Sequence, residues 1–446
     1  MKNDLINLKI EDIGSNGEGI GKLDGYTFFV KDSLPEDVIE ARITKENKNY
    51  GFARLEKIIT PSHFRVEPKC NIAAKCGGCQ IQALEYSQQL LYKANKVKNN
   101  LERIGGLKDV VVHPVIGMDE PYYYRNKSQF PVGLDKEGNI VTGFYAGRTH
   151  SIIDTEKCLI SPLVNEEILK TVKEYMKDNN LKPYDEATHK GFVRHILIRN
   201  GFKSGEIMVV LVINGDKLRS PENLVDELLK IKGMTSIALN INKEKTNVIL
   251  GDKVINLYGK GFITDVIDDL TFRISPLSFF QVNPIQTEKL YAKALEYAGL
   301  TGNETVWDLY CGIGTISLFL AKSAKKVYGV EVVKEAIGDA KVNAEINNIN
   351  NAEFIVGEAE NVTINEKPDV VVLDPPRKGC DETLLETIVK VGPEKVVYVS
   401  CDSATLARDL KYLCERGYEV VEVQPVDMFP HSVHVETVVL MSRKDC

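Results

Sequence analysis

Residues 305–320 read TVWDLYCGIGTISLFL. Val306, Trp307 and Leu309 make a short apolar strand, Gly312 and Gly314 punctuate a turn, and Ile316, Leu318, Phe319 and Leu320 continue as a helix. The alternation extends in both directions. A helical pattern at 285–300 (IQTEKLYAKALEYAGL) precedes it; a strand at 326–332 (KVYGVEV), a helix at 334–348 and a strand at 352–358 follow. DVVVLDPP (369–376), KVVYVSC (395–401) and HVETVVLM (434–441) supply later strands. Strands and helices in this order predict a mostly parallel sheet wrapped by helices, an α/β Rossmann-like unit.

The 446 residues suggest two or three domains. No apolar run approaches the ~18 to 20 residues of a membrane span, and charges interrupt the N-terminal MKNDLINLKIEDIG where a signal peptide needs apolar residues. A cytoplasmic protein without membrane contact is expected, and nothing implies an obligate protein partner. The net charge of −7 argues against general electrostatic affinity for nucleic acid, although residues 92–108 carry four Lys and one Arg against one Glu.

Residues 1–60 read as short strands punctuated by Gly17, Gly19, Gly21 and Gly25, the pattern of a small β-barrel. LPEDVIEARIT (34–44) followed by YGFARLEKII (50–59) resembles the TRAM domain, a barrel attached to RNA-modifying enzymes. Ile81, Leu84, Leu91, Val97, Leu101 and Ile104 recur at helical intervals until Gly105-Gly106. From 114 to 268 the pattern is strand-rich, with one helix expected near NEEILKTVKEYMKDNN (165–180).

In the opening stretch Asp308 and Tyr310 stand at the strand's carboxyl end, where doubly wound sheets bind ligands. Glu331, ending the next strand, can accept hydrogen bonds from both hydroxyls of a ribose. The glycine spacing is neither G-x-G-x-x-G nor a triphosphate loop; it resembles the turn of S-adenosylmethionine-dependent methyltransferases. Asp374 ends a further strand, and Pro375-Pro376 fix the loop leaving it. Enzymes that methylate base amines commonly place Tyr or Phe next, whereas this chain has Arg377.

Residues 396–410, VVYVSCDSATLARDL, put Cys401 where a strand hands over to a helix. Helix-start amides favour a thiolate there, and an ionised Asp402 opposes it. Methylating carbon 5 of a pyrimidine needs such a sulfur. Its addition to carbon 6 makes carbon 5 nucleophilic, and a base must then remove the carbon 5 proton. A stacked target would also have to be flipped out. In FPHSVHVETVVLM (429–441), strand alternation would put Ser432, His434 and Glu436 on one face, with His431 and His434 as rival bases.

Together SPLSFFQVNPIQTEKLY (275–291), DLYCGIGTISL, LDPPRKG, YVSCDSATLARDL and PHSVHVETVVLM resemble, in content and order, the RNA 5-methyluridine (uracil-C5) methyltransferases. The resemblance implies Cys401 as nucleophile, Glu436 as base, and Gln281, Tyr310, Glu331 and Asp374 as contacts of S-adenosylmethionine. Many members carry Asn-Pro after the catalytic cysteine, where this chain has Asp402-Ser403. Phe279 and Phe280 could stack on a base.

Cys70, Cys76 and Cys79 form a C-x5-C-x2-C run, and Cys158 follows far downstream. Four thiolates suit zinc or an iron–sulfur cluster; three near one another plus a remote fourth resemble the [4Fe-4S] cluster of the ribosomal-RNA branch of this family. That branch also carries the barrel, so 23S ribosomal RNA is the expected partner. The expected organisation is multidomain: a TRAM RNA-binding barrel (1–60), a β-rich iron–sulfur domain (61–82 and 114–268) and a Rossmann-like methyltransferase (83–113 and 269–446). Arg125 and Lys127 are candidate RNA contacts. Cytosine-C5 methylation and a non-catalytic RNA-binding assembly factor are the alternatives.

Overall fold

The computed structural model describes residues 3–147, 149, 151–155, 157–361 and 364–444. In its first part the inward-facing residues Leu8, Ile10, Ile39, Ala41 and Ile43 are buried together. Around them β1 (Leu5–Ile13), β2 (Gly19–Leu23), β3 (Tyr26–Val30), β4 (Val38–Glu46) and β5 (Tyr50–Thr60) close a barrel in the order β1-β2-β3-β5-β4. Closure leaves no unpaired edge.

A loop carrying three cysteines leads into helix α1 (Tyr86–Arg103). Val97 and Leu101 on this helix share a core with Trp307, Leu406 and Leu410 of the C-terminal region. Leu91 and Ile104, which the helical pattern would bury, are exposed instead. Leu91 lines a groove that α1 forms with the barrel.

The central sheet is built from β6 (Lys127–Leu134), β7 (Ile140–Tyr145), β8 (Ile152–Asp154), β9 (Val193–Asn200), β10 (Ile207–Ile213), β11 (Met234–Ile241) and β12 (Lys253–Gly259). Their order is β12-β11-β10-β9-β6-β7-β8. Every residue of β9 and β10 is buried, as a sheet covered on both faces requires. Helices α2 (Val164–Asp178) and α3 (Pro221–Leu228) cover one face, while Leu197, Met208 and Val210 pack into the C-terminal core on the other. Only α2 is expected from the sequence. Helix α3 is short, and Pro221 at its first turn reads as a breaker as easily as a start.

A hairpin, β13 (Ile263–Ile267) and β14 (Leu270–Ile274), precedes α4 (Pro284–Ala298). The Asn283 side chain caps α4 by accepting from Gln286 N. Then come β15 (Thr305–Leu309), α5 (Thr315–Ala321), β16 (Lys326–Glu331), α6 (Lys334–Ile346), β17 (Ala352–Val356), β18 (Val370–Leu373), α7 (Glu382–Val391), β19 (Lys395–Ser400), α8 (Ser403–Cys414), β20 (Tyr418–Val426) and β21 (Glu436–Arg443). The sheet runs β17-β16-β15-β18-β19-β21-β20; its first five strands are parallel, and β21 is antiparallel to both neighbours. Among the described residues no helix is long and apolar enough to cross a membrane.

Residues 427–435 connect β20 to β21, and here the strand expectation fails. β21 begins only at Glu436, so Ser432 and His434 lie in the connection and share no strand face with it. This segment pairs with other parts of the chain. Val433 packs with Ile13 and Leu34 of the barrel and with Ile81, Leu84 and Tyr92.

Trp307, the single tryptophan, reports on the core that Leu101 enters. Leu101→Ala should destabilise that core by about 2–5 kcal/mol, read as a lower urea midpoint of Trp307 emission. An unchanged midpoint would detach α1 from the C-terminal unit.

Candidate active site

At the carboxyl end of the parallel strands lies a cavity of about 740 Å³. Several of its walls follow from strands that stop there. After β15 the chain turns sharply. Tyr310 takes a left-handed backbone (φ 69°), as do Gly312 (φ 54°) and Gly314 (φ 80°). A side chain at Gly314 would meet the Phe354 ring at 2.9 Å, whereas Gly312 faces open space. Asp308 is fully buried; its Oδ2 accepts from Ser317 Oγ, and its Oδ1 has no hydrogen-bond partner among the described residues. Glu331, at the end of β16, accepts from Gly312 N at 3.2 Å and Val333 N at 2.9 Å, which turns its carboxylate into the cavity wall.

The other walls bring Gln281, Asp374, Arg377, Cys401, His434 and Glu436 to the same space. The two halves of the chain chemistry proposed from sequence thus meet across it. Asp402 caps α8 by accepting from Ala404 N (2.9 Å) and Thr405 N (3.2 Å), which fixes the turn after Cys401. Of the two phenylalanines, Phe279 is 64% exposed and lines the cavity mouth, while Phe280 is buried in the core and cannot meet a ligand. Phe429 also lines it and does not stand out as a cavity residue in the sequence.

Burial dominates the electrostatics. It pushes Asp374 up to about 7, with the Asp308 charge adding to the effect. Asp308 is raised to about 7 by the same desolvation, against the hydrogen bond from Ser317. Glu436 is raised to about 8 by burial and then by Asp374, with Arg377 opposing. The Cys401 thiol is pushed up to about 12 by burial, Glu436 and Asp374, again against Arg377. The helix-start amides therefore do not decide the state of this thiol; desolvation and two carboxylates do. His434 is lowered to about 4 by burial and by Arg377, Lys96 and Lys93. His431 is lowered to about 4 as well, mainly by burial, and bonds Gln89 instead of facing the cavity. The site gathers carboxylates around a space where a cation would relieve them.

Cys70, Cys76, Cys79 and Cys158 line a second cavity, of about 250 Å³, with Arg125, Phe144 and Ile160. All four are free thiols, and Gly78 N donates to Cys76 Sγ at 3.4 Å. Burial and the neighbouring sulfurs push Cys79 up to about 12. Among the described residues no three His, Cys, Asp or Glu side chains are grouped to hold a metal ion. The sulfurs thus converge on one space without closing around a single ion. Cys380, given no role from sequence, bonds the Tyr398 hydroxyl at 3.4 Å in the core; Cys446 lies outside the described residues.

Known proteins share this architecture. The family model described as tRNA (Uracil-5-)-methyltransferase matches residues 85–444, and that of the TRAM domain matches residues 1–55. The chain is 53% identical over 448 aligned positions to a Clostridium tetani protein named "uncharacterized RNA methyltransferase", covering 99% of this chain and 97% of the relative. A Halalkalibacterium halodurans protein of similar name is 49% identical, covering 100% and 98%. The crystal structure of Pyrococcus abyssi tRNA (uracil-54, C5)-methyltransferase with S-adenosyl-L-homocysteine aligns with a TM-score of 0.80 at 30% identity, covering 98% of this chain and 100% of that one.

The charge pattern gives a signed expectation for the free protein. Iodoacetamide labelling of Cys401 should be slow at neutral pH and rise about tenfold per pH unit through the alkaline range. Glu436→Gln should speed it, chiefly above pH 8 where Glu436 is ionised, and Arg377→Gln should slow it. Peptide mass spectrometry reads each rate. The reverse order would contradict the electrostatic assignment.

Proposed function

Because the chain belongs to the tRNA (uracil-5-)-methyltransferase family and carries a TRAM domain, we propose that it methylates carbon 5 of a uridine in 23S ribosomal RNA, with Cys401 as nucleophile and Glu436 as base. One observation carries the mechanistic part: Cys401 and Glu436 line one cavity together with Asp308, Glu331 and Asp374. Gln281, Tyr310, Glu331 and Asp374 are the residues that would hold S-adenosylmethionine. The unpartnered Asp308 Oδ1 and the open face of Gly312 fit a polar ligand there. When bound, S-adenosylmethionine supplies the methyl group and the positive charge these carboxylates lack.

The Cys401 thiolate adds to carbon 6 of the uracil, and the ring electrons move to make an enolate with a nucleophilic carbon 5. Arg377, the cation acting on both Cys401 and Glu436, favours the thiolate this step needs and the carboxylate that the later proton removal needs. Once carbon 5 carries its methyl group, Glu436 removes the carbon 5 proton, and the electron pair expels the sulfur and restores the double bond. Phe279 at the mouth is placed to stack on the extruded base. His434 is neutral over most of the working range, so it offers Glu436 no competing cation.

The four-cysteine cavity supports a [4Fe-4S] cluster. Cys70, Cys76, Cys79 and Cys158 would hold the cluster, and its iron would stabilise thiolates that burial otherwise disfavours. With four ligands supplied by the chain, its role would be structural, in folding the central region or shaping its RNA face. Domain limits of 1–60, 61–82 with 114–268, and 83–113 with 269–446 follow this division; α1 packing against α8 favours grouping 83–113 with the C-terminal unit. The site of action is the cytoplasm.

A second reading, a transfer-RNA uridine, is favoured by the whole-chain likeness to the Pyrococcus abyssi protein, whose printed substrate is tRNA uracil-54. Offering the full-length protein transcripts of 23S and transfer RNA, and mapping methylated nucleosides by mass spectrometry, separates the two. Product at cytidine would replace uracil chemistry altogether. Cys401→Ala should lose all methyl transfer, and wild-type protein should form a stable adduct with 5-fluorouridine RNA through residue 401. An adduct peptide from elsewhere would overturn the nucleophile. For the second cavity, Cys79→Ser should abolish visible absorbance and the about four irons per chain expected of the purified protein; zinc in their place would refute the cluster.

A further inference from the structure

One face of α1 holds both loops of the reactive pair. Tyr86, Gln89, Lys93, Lys96 and Asn100 recur at three- and four-residue steps and so stand in a row along the helix. Four of them reach the 427–435 connection. Tyr86 Oη donates to Asp427 Oδ2 at 2.9 Å; Lys93 Nζ donates to Asp427 Oδ1 at 2.5 Å and to Phe429 O at 3.0 Å. Gln89 Oε1 accepts from His431 N at 2.9 Å, and Lys96 Nζ donates to Val433 O at 2.9 Å. The fifth, Asn100, donates to Ser403 Oγ at 2.8 Å, two residues beyond Cys401.

These contacts are specific ones. The Lys93 and Asp427 side chains are both completely buried, so water cannot substitute for either. The connection they fix has no strand ladder to hold its backbone. It nevertheless carries Phe429 and His434 to the cavity wall and delivers Glu436 at its end.

We infer that this row positions the two reacting groups separately: the Lys93–Asp427 pair sets where the Glu436 carboxylate stands for proton removal, and Asn100 steadies the loop that presents Cys401. The inference rests on the roles given to Cys401 and Glu436 above. None of the five is a catalytic residue; each acts through the loop it holds. Because the two reaction steps use different loops, disturbing the two ends of the row should leave different chemical traces. A misplaced Glu436 still permits sulfur addition and methyl transfer but stalls elimination, so the carbon 6 adduct accumulates. A loosened Cys401 loop slows addition, and nothing accumulates.

The test uses full-length protein and whichever of the 23S and transfer RNA transcripts the wild type methylates. Lys93→Met alone strands the Asp427 charge and can fail to fold, so it is paired with Asp427→Leu, which replaces the ion pair by apolar groups. Folding of this double variant is checked by Trp307 emission. With unchanged KM for RNA, its kcat should fall about 10- to 100-fold, and a covalent protein–RNA band on ordinary uridine transcript should survive denaturing electrophoresis. Asn100→Ala should lower kcat without that band and slow capture of 5-fluorouridine transcript. A double variant with wild-type turnover, or one that loses activity without the band, overturns the inference while leaving the reaction standing. Wild-type protein that neither methylates nor captures 5-fluorouridine RNA overturns both.

Discussion

A lysine and an aspartate with no exposed side-chain surface, Lys93 and Asp427, face each other across the chain's principal junction. Removing such charges from water is costly, and the cost is offset only when geometry and hydrogen bonds are good. Here Tyr86 completes the carboxylate and Phe429 O completes the ammonium. The rest of the junction is arranged around this pair. Tyr124 of the central region donates to Pro430 O at 3.1 Å, Ile81 N donates to His431 O at 3.0 Å, and Val433 inserts among barrel residues. Barrel, cysteine loop, the segment leading into the central sheet and helix α1 thus converge on one short connection, beside the apolar cores that also join them.

The cavity itself is organised by repulsion. Asp308 and Glu436 are buried and Asp374 is half-buried beside them, and each is harder to ionise than in water. Folding tolerates this because strand ends and the Arg377 loop hold the groups in place whatever their charge. A site that is costly while vacant binds a positive ligand the more tightly for it, since the ligand relieves several unfavourable terms together. The same relief reaches Cys401, whose thiol is disfavoured as an anion by those same carboxylates.

Much of this was legible along the chain where the signal is local. The apolar run ending at Ser400 and the Asp402 cap locate Cys401 to the residue, because strand exit and helix entry each leave a mark within a few positions. The glycine turn after β15 is equally plain. What sequence hides is partnership at a distance. Lys93 reads as one more charge in a basic helix, and its acid lies 334 residues on. The segment ending in Glu436 reads as an alternating strand, yet most of it is a connection, since Val433 packs against the barrel and Tyr92 of α1 while Val435 enters the core of the C-terminal sheet. Cys401's protonation was also unreadable: backbone amides beside it are visible in sequence, whereas carboxylates folded against it from β18 and β21 are not.

That long separation has a consequence for how the protein is made. Ribosomes deliver α1 first and Asp427 only after a further 334 residues, so the helix waits through that interval with its lysine unmatched. Closing so distant a contact carries a loop-closure cost before it is rewarded, which makes it slow. The wall that Asp427 anchors can therefore close only against a helix made 334 residues before it.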